Sequence, residues 1–327
     1  MTVEPTKVSI VILTLNAGPE FEELLEKLST QEGNFECEVI VIDSGSEDGT
    51  VELARRYEAN VHQIAKSEFN HGATRDLGVS LSGGEYVSFI VQDAVPLDER
   101  WLATMVEDLE RDERVAGVYG RQIPSPEADI LTRVLVNSLA TASLERREQF
   151  VDGPGQYREM PSKNRRRLAT FDNVSSCLRR SVWEELPFEK TNFGEDIRWG
   201  KKIVEVGYKI VYEPHSAVFH SHERGALYNL RRYYVDQRVL VELFGLKEVP
   251  NLRRLLLAAA RSSLRLYRLL RQDEEEASRS RLWLALLAVG YAVPSQVGAY
   301  LGARSGAIAR LSPCLFRRLN RFLSKGI

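Results

Sequence analysis

The chain of 327 residues lacks most of the features that decide a protein's class at a glance. Its three cysteines, Cys37, Cys177 and Cys314, lie far apart with no Cys-x-x-Cys or Cys/His ligand spacing. They supply neither a disulfide framework nor a zinc site, and read as small buried hydrophobes in a reducing compartment. The N-terminus has no basic stretch followed by a long apolar one, and its first apolar run, Val8–Leu13, is only strand-sized. With no secretory signal, the expected location is the cytoplasm. After that run comes TLNAGPE, where a dinucleotide-binding dehydrogenase would need G-x-G-x-x-G. Net charge is also scarce, at −2, but this hides an asymmetry. Residues 225–327 hold 18 Lys and Arg against 7 Asp and Glu, so the rest is as strongly acidic. An acidic body suits a metal-dependent site, and a basic tail suits an anionic surface. Nothing in this pattern points to nucleic acid.

Two regions follow, 1–226 and 227–327. Over the first 120 residues, strand and helix signals alternate: VSIVIL at 8–13, helical spacing of Phe21, Leu24, Leu25 and Leu28, EVIVI at 38–42, and a helix opening at Thr50 as N-cap. Further units comprise a helix over 73–81, a strand over 86–91, and a helix carrying Trp101, Leu102, Met105, Val106 and Leu109. Repeated βα units with short connections predict an α/β fold, a doubly wound and mostly parallel sheet flanked by helices. From Arg121 to about Asp172 the pattern becomes mixed polar sequence, expected as substrate-facing loops and short helices. Its run Arg165-Arg166-Arg167 reads first as solvated surface, with phosphate contact as the alternative. A helix over 197–206 capped by Gly207 and a strand over 209–212 close the region.

After Leu227 the pattern is wholly helical. At about 100° per residue, Arg253, Arg254, Arg261, Arg265, Arg268 and Arg271 share an arc of roughly 120° opposite a leucine face. The uncharged stretch Leu282–Ala303 is long enough to cross a bilayer, yet contains Gly290, Pro294, Ser295, Gln296, Gly298 and Gly302. A soluble hairpin or homodimer interface, an interfacial membrane helix and a true span all remain open.

Four positions carry chemistry. Asp93, where the strand over 86–91 turns toward Pro96, stands where open α/β sheets bind ligands and offers the oxygens that Mg²⁺ or Mn²⁺ requires. Asp43 ends the second strand in IDSGSEDGT, placed to accept a base N–H, although such turns are common. Glu195 and Asp196 precede a helix in NFGEDIRWG, where a carboxylate can deprotonate an acceptor hydroxyl or simply complement the helix dipole. In FHSHE, His220 and His222 alternate to one face and can complete a metal shell. Trp199, one turn beyond Asp196, is either an aromatic platform for an acceptor sugar or a core residue.

In order, VSIVILTLNAG, VIVIDSGSEDGT, FNHGATRDLGVSLSGGEYVSFIVQDAVP, GED and HSHE resemble the family 2 glycosyltransferases of the GT-A fold, over roughly residues 8–232. FNHGATRDLG with QDAVP is most similar to the rhamnosyltransferases among them. The resemblance implies a nucleotide-sugar donor, dTDP-L-rhamnose, with Thr14 and Asp43 toward the nucleoside, Arg75 on the nucleotide side, Asn16 and Gln92 also binding the nucleotide sugar, Asp93 at the metal-bridged diphosphate and Asp196 as base. It also implies a glycan or lipid-linked acceptor at the inner membrane face, and a helical appendage beyond the GT-A domain. Two departures stand out: the usual D-x-D reads Val91-Gln92-Asp93, shifting metal-ligand weight to His220 or His222, and Asp76 replaces a common Asn. A polyprenyl-phosphate glycosyltransferase and a non-catalytic sugar-nucleotide-binding protein are the rival expectations.

Overall fold

The computed structural model describes residues 5–273 and 280–327. The chain divides into two units, Met1–Pro126 with Leu139–His220, and Glu127–Ser138 with Ser221–Ile327.

The first unit is built on one mixed sheet. Strands β1 (Thr6–Thr14), β2 (Phe35–Asp43), β3 (Asn60–Gln63) and β4 (Tyr86–Ile90) run parallel in the order β3-β2-β1-β4, as the βα repeats require. Beyond β4 the sheet continues with strands that the sequence pattern concealed. These are β5 (Val95–Pro96), β6 (Val115–Ile123), β7 (Arg147–Gln149) and β8 (Ser175–Arg179), and after them comes β9 (Lys209–Phe219), which begins with the strand expected over 209–212 and runs on to Phe219. The order becomes β3-β2-β1-β4-β8-β6-β9-β5, with β7 on β9. Strand β8 is antiparallel to both β4 and β6, whereas β6 and β9 are parallel.

That reversed strand determines what reaches the ligand-binding edge. Ile90 pairs with Ser175, so the residues just before β8 lie beside those just after β4. Gln122 pairs with Val218 and Ile123 with Phe219, which brings the ends of β6 and β9 to the same edge. Strand β9 holds three extra residues between Glu213 and Ala217, opposite the Gly120–Arg121 step. Gly120 accommodates this bulge, since a Cβ there would lie 2.3 Å from the Ser216 carbonyl oxygen.

Helices cover both faces of the sheet. Val8, Ile10 and Ile12 of β1 join a core with Phe21, Leu24 and Leu25 of α1 (Glu20–Ser29), while Val11 faces the opposite core. Helix α2 (Thr50–Arg56) starts differently from its sequence reading. Gly49 is the cap residue, with φ 89°, and Thr50 is the first helical residue, its amide held by Asp48 Oδ1. Thr50 Oγ1 instead accepts from the Ala17 amide at 3.0 Å. The remaining helices of this unit are α3 (His71–Leu81), α4 (Trp101–Arg111), the short α6 (Pro154–Glu159), α7 (Ser162–Leu168) and α8 (Arg180–Glu185), and α9 (Glu195–Val206), which Gly207 ends at φ 98°. Among the cysteines only Cys177, within β8, is buried; Cys37 lies in β2 ahead of its buried half, and both it and Cys314 are exposed.

The second unit is helical: α5 (Ile130–Asn137), α10 (Ala226–Phe244), α11 (Leu252–Leu270), α12 (Arg281–Leu311) and α13 (Pro313–Leu323). Ile130 and Val134 pack with Leu266, Leu270, Leu284 and Ala288, so a segment expected as a loop of the first region contributes to this core. The glycines of α12 are contact residues. A Cβ at Gly298 or Gly302 would lie 2.2 Å from the Leu230 carbonyl oxygen or 2.5 Å from that of Tyr234, so only glycine allows α10 to approach so closely.

Candidate active site at the sheet edge

Three clusters form at the edge where β1, β2, β4, β6 and β9 end. The first surrounds Asp43, which is fully buried. One carboxylate oxygen accepts from Thr14 Oγ1 at 3.0 Å and from Ser46 Oγ, the other from the Gly45 and Ser46 amides at 3.0 Å each. Burial opposes ionisation, but these donors outweigh it and hold the carboxyl below its usual range. Asn16 takes a left-handed φ of 48°, and its side chain accepts from the Glu47 amide at 2.9 Å. Gln92 clasps the Leu15 backbone, accepting from its amide at 2.8 Å and donating to its carbonyl. Thr14, Asn16, Asp43 and Gln92 thus come together as a network that shapes the loops after β1 and β2.

The second cluster surrounds the acidic pair at the start of α9. Glu195 and Arg75 form an ion pair of 3.0 Å with both side chains under one-tenth exposed, and Asn173 Nδ2 donates to the same Glu195 oxygen at 3.3 Å. Burial raises the Glu195 pKa, but Arg75 and then His71 outweigh it, leaving the carboxyl below its ordinary value. Asp196 behaves oppositely. Burial, followed by the negative neighbours Glu195 and Asp172, pushes its carboxyl well above the usual range. Adjacent carboxyls therefore differ in proton affinity, Glu195 fixed as an anion and Asp196 poised to take a proton.

The third cluster lies at Asp93. His220 Nε2 stands 3.7 Å from Asp93 Oδ1, and its Nδ1 lies 3.1 Å from Gln122 Oε1. One carboxylate oxygen and one imidazole nitrogen at the mouth of a sheet are donors that Mg²⁺ or Mn²⁺ accepts. His222, two residues on, belongs to the second unit.

Two readings change. Trp199 is fully buried between Phe171 and Phe188, with ring centroids 4.7 and 5.6 Å away, and its Nε1 donates to the Leu186 carbonyl. No ring face is open to a sugar, which removes it from the acceptor role. Asp76 accepts from Trp183 Nε1 at 2.6 Å and the Phe188 amide at 3.0 Å, so it ties α3 to the segment before α9. Gln122, Asp172 and Asn173 were missed. Gln122 lies in the β6 run GVYGRQI and Asp172 and Asn173 just ahead of the serine-rich β8, SSCLR; the β6–β9 pairing brings the first to this edge and the antiparallel entry of β8 the other two.

Comparison with known proteins identifies the family and the fold. The model of "Glycosyl transferase family 2" matches residues 9–176. The O-antigen chain rhamnosyltransferase RfbN of Salmonella typhimurium is 30% identical over 233 residues, 70% of each chain. WbaN of Salmonella anatum, another O-antigen chain rhamnosyltransferase, is 30% identical over 231 residues, 69% of this chain and 70% of its own. Among solved structures, the mannosyltransferase PcManGT from Pyrobaculum calidifontis, in complex with GDP-Man and Mn²⁺, superposes with a TM-score of 0.51 at 19% identity, covering 99% of this chain and 85% of that one.

Proposed function

The chain belongs to glycosyl transferase family 2, and from that membership we propose that it transfers L-rhamnose, with inversion, from dTDP-L-rhamnose to a growing glycan on a lipid carrier at the cytoplasmic membrane face. The observation that carries the mechanism is the split acidic pair at the start of α9. Asp196, with its raised proton affinity, takes the proton from the acceptor hydroxyl as that oxygen attacks the anomeric carbon. The bond from that carbon to the diphosphate oxygen breaks on the opposite face, and the leaving group departs with the electron pair. Glu195, held as an anion by Arg75, keeps Asp196 basic without competing for the proton. A divalent cation, Mg²⁺ or Mn²⁺, held by Asp93 and His220 would supply the positive charge that the departing diphosphate requires. The loops around Thr14, Asn16, Asp43 and Gln92 are the nucleoside side of the site, and the rhamnosyl assignment rests on the two 30% identical relatives.

The test is turnover with a panel of nucleotide sugars, a lipid-linked oligosaccharide acceptor and Mn²⁺. Selective use of dTDP-L-rhamnose is expected; selective use of a donor without a deoxysugar would overturn the rhamnosyl assignment. Asp196→Asn should retain donor binding while turnover collapses, and unchanged turnover would remove Asp196 as the base.

A further inference from the structure

His220 is the first residue after β9, and its amide donates to the Ile123 carbonyl at 2.9 Å, so its ring hangs from a paired strand end. Behind the ring runs a chain of side chains. His220 Nδ1 meets Gln122 Oε1 at 3.1 Å, and Gln122 Nε2 donates to Asp172 Oδ2 at 2.7 Å. Asp172 Oδ1 accepts from the Val174 amide at 3.0 Å, which anchors the far end at the start of β8. Gln122 is buried, at 7% exposure.

Charge dictates the order of these atoms. An ionised carboxylate only accepts, so the Gln122 amide turns its NH₂ to Asp172 and its oxygen to the imidazole. That oxygen also only accepts, which places the proton on Nδ1. In the neutral ring, the lone pair is then on Nε2, the nitrogen that faces Asp93. A flipped amide would set two acceptors against each other at Asp172 and put the imidazole proton toward Asp93.

We propose that Gln122 and Asp172 are positioning residues that hold His220 in the tautomer and orientation needed to bind a divalent cation through Nε2 together with Asp93. This rests on the metal role proposed above for His220. Asp172 also lies near enough to Asp196 to affect its proton affinity, so turnover alone would mix two effects. Metal binding separates them.

The experiment measures Mn²⁺ affinity by electron paramagnetic resonance, with saturating dTDP and no donor, for the full chain and for Gln122→Met, Asp172→Asn and His220→Ala. Methionine keeps the length of glutamine but neither polar atom. Gln122→Met should bind Mn²⁺ roughly 10- to 100-fold more weakly, the usual effect of losing a partner behind a ligand. Its metal-free dTDP affinity should stay close to wild type, although the melting temperature should fall because the Asp172 carboxylate loses a donor, and turnover should recover at high Mn²⁺. In the metal-free protein, the ¹⁵N shifts of the His220 ring should leave the Nδ1–H pattern in Gln122→Met. If that variant does not fold, Asp172→Asn, which preserves shape but no longer dictates the amide orientation, should show a smaller loss of affinity and a mixed tautomer. Wild-type affinity and tautomer in a folded variant, alongside weak binding by His220→Ala, would overturn the positioning role alone. Wild-type affinity in His220→Ala would overturn the ligand role and the positioning role with it.

Discussion

At the scale of single residues, Asp196 sets function against stability. Its carboxyl holds a proton more tightly in the fold than in the unfolded chain, because burial, Glu195 and Asp172 disfavour its charge and the Ile197 amide and Arg75 offset them only in part. The folded state thus binds more protons between the ordinary carboxylate range and the raised value. Stability is fullest below that window and falls as pH rises through it. Asp196→Asn removes this penalty, so the variant should melt above wild type at neutral pH, with the difference vanishing in acid. Calorimetric melts across pH would check this, and a variant less stable than wild type at neutral pH would contradict it. The same residue must lose its proton to act, so the rate should fall as pH drops through the raised value. The acid limb of the profile is expected above the ordinary carboxylate range, and Asp172→Asn, which removes one negative neighbour, should move it down. Turnover by Asp196→Asn should fall roughly 10²- to 10⁴-fold, the usual worth of a positioned base.

At the scale of elements, α3 shows why FNHGATRDLG has the composition it does. Asn70 caps the helix by accepting from the Ala73 amide at 3.1 Å, and the same oxygen accepts from the Thr191 amide at 2.9 Å. Gly72 lets the segment before α9 lie against the helix, since a Cβ there would lie 1.9 Å from the Glu189 carbonyl oxygen. Arg75, one turn on, then reaches Glu195. The motif is thus a clamp on the segment carrying the acidic pair. Gly72→Ala should displace residues 189–193 and cost about 1–3 kcal/mol, the usual penalty of overpacking. Turnover should fall although no atom of residue 72 takes part in the chemistry. Denaturant unfolding with parallel kinetics checks this; wild-type values in both would show that the close approach is dispensable. Legibility followed the same physics. Continuous apolar runs made β1, β2 and β4 visible, and helical spacing revealed α1 and α4, which brought Asp43 and Asp93 into view. Strand β8 was not legible, because its serines face a buried interior where Ser88 and Trp101 satisfy polar atoms through Ser176 and Ser175. Without β8, nothing in the linear pattern places Asp172 or Asn173 beside the acidic pair.

At the scale of the whole molecule, the charge split gains a structural counterpart in the helical unit. Helix α11 buries only Leu266 and Leu270 among its residues, leaving Leu252 and Leu256 exposed on its leucine side and Leu257 and Leu264 exposed within the arc of Arg253, Arg254, Arg261, Arg265 and Arg268. Helix α12 meets the length and composition of a membrane span. Yet Gly298 and Gly302 in its second half lie against α10, while Leu282, Leu286 and Val289 in its first half are exposed. Crossing a bilayer would strip α10 from that half, whereas lying in the interface would cover only the exposed apolar residues. An anionic bilayer surface satisfies both the leucines and the arginines. The chain should therefore co-sediment with vesicles containing phosphatidylglycerol and much less with pure phosphatidylcholine, and salt should weaken the binding. Leu256→Asp combined with Leu286→Asp should abolish sedimentation while leaving donor hydrolysis in solution unchanged, since neither residue belongs to the sheet edge. Equal binding to neutral and anionic vesicles would reject the electrostatic half of this reading. A monodisperse dimer that dissociates in the double variant would show that the apolar face serves a second copy instead.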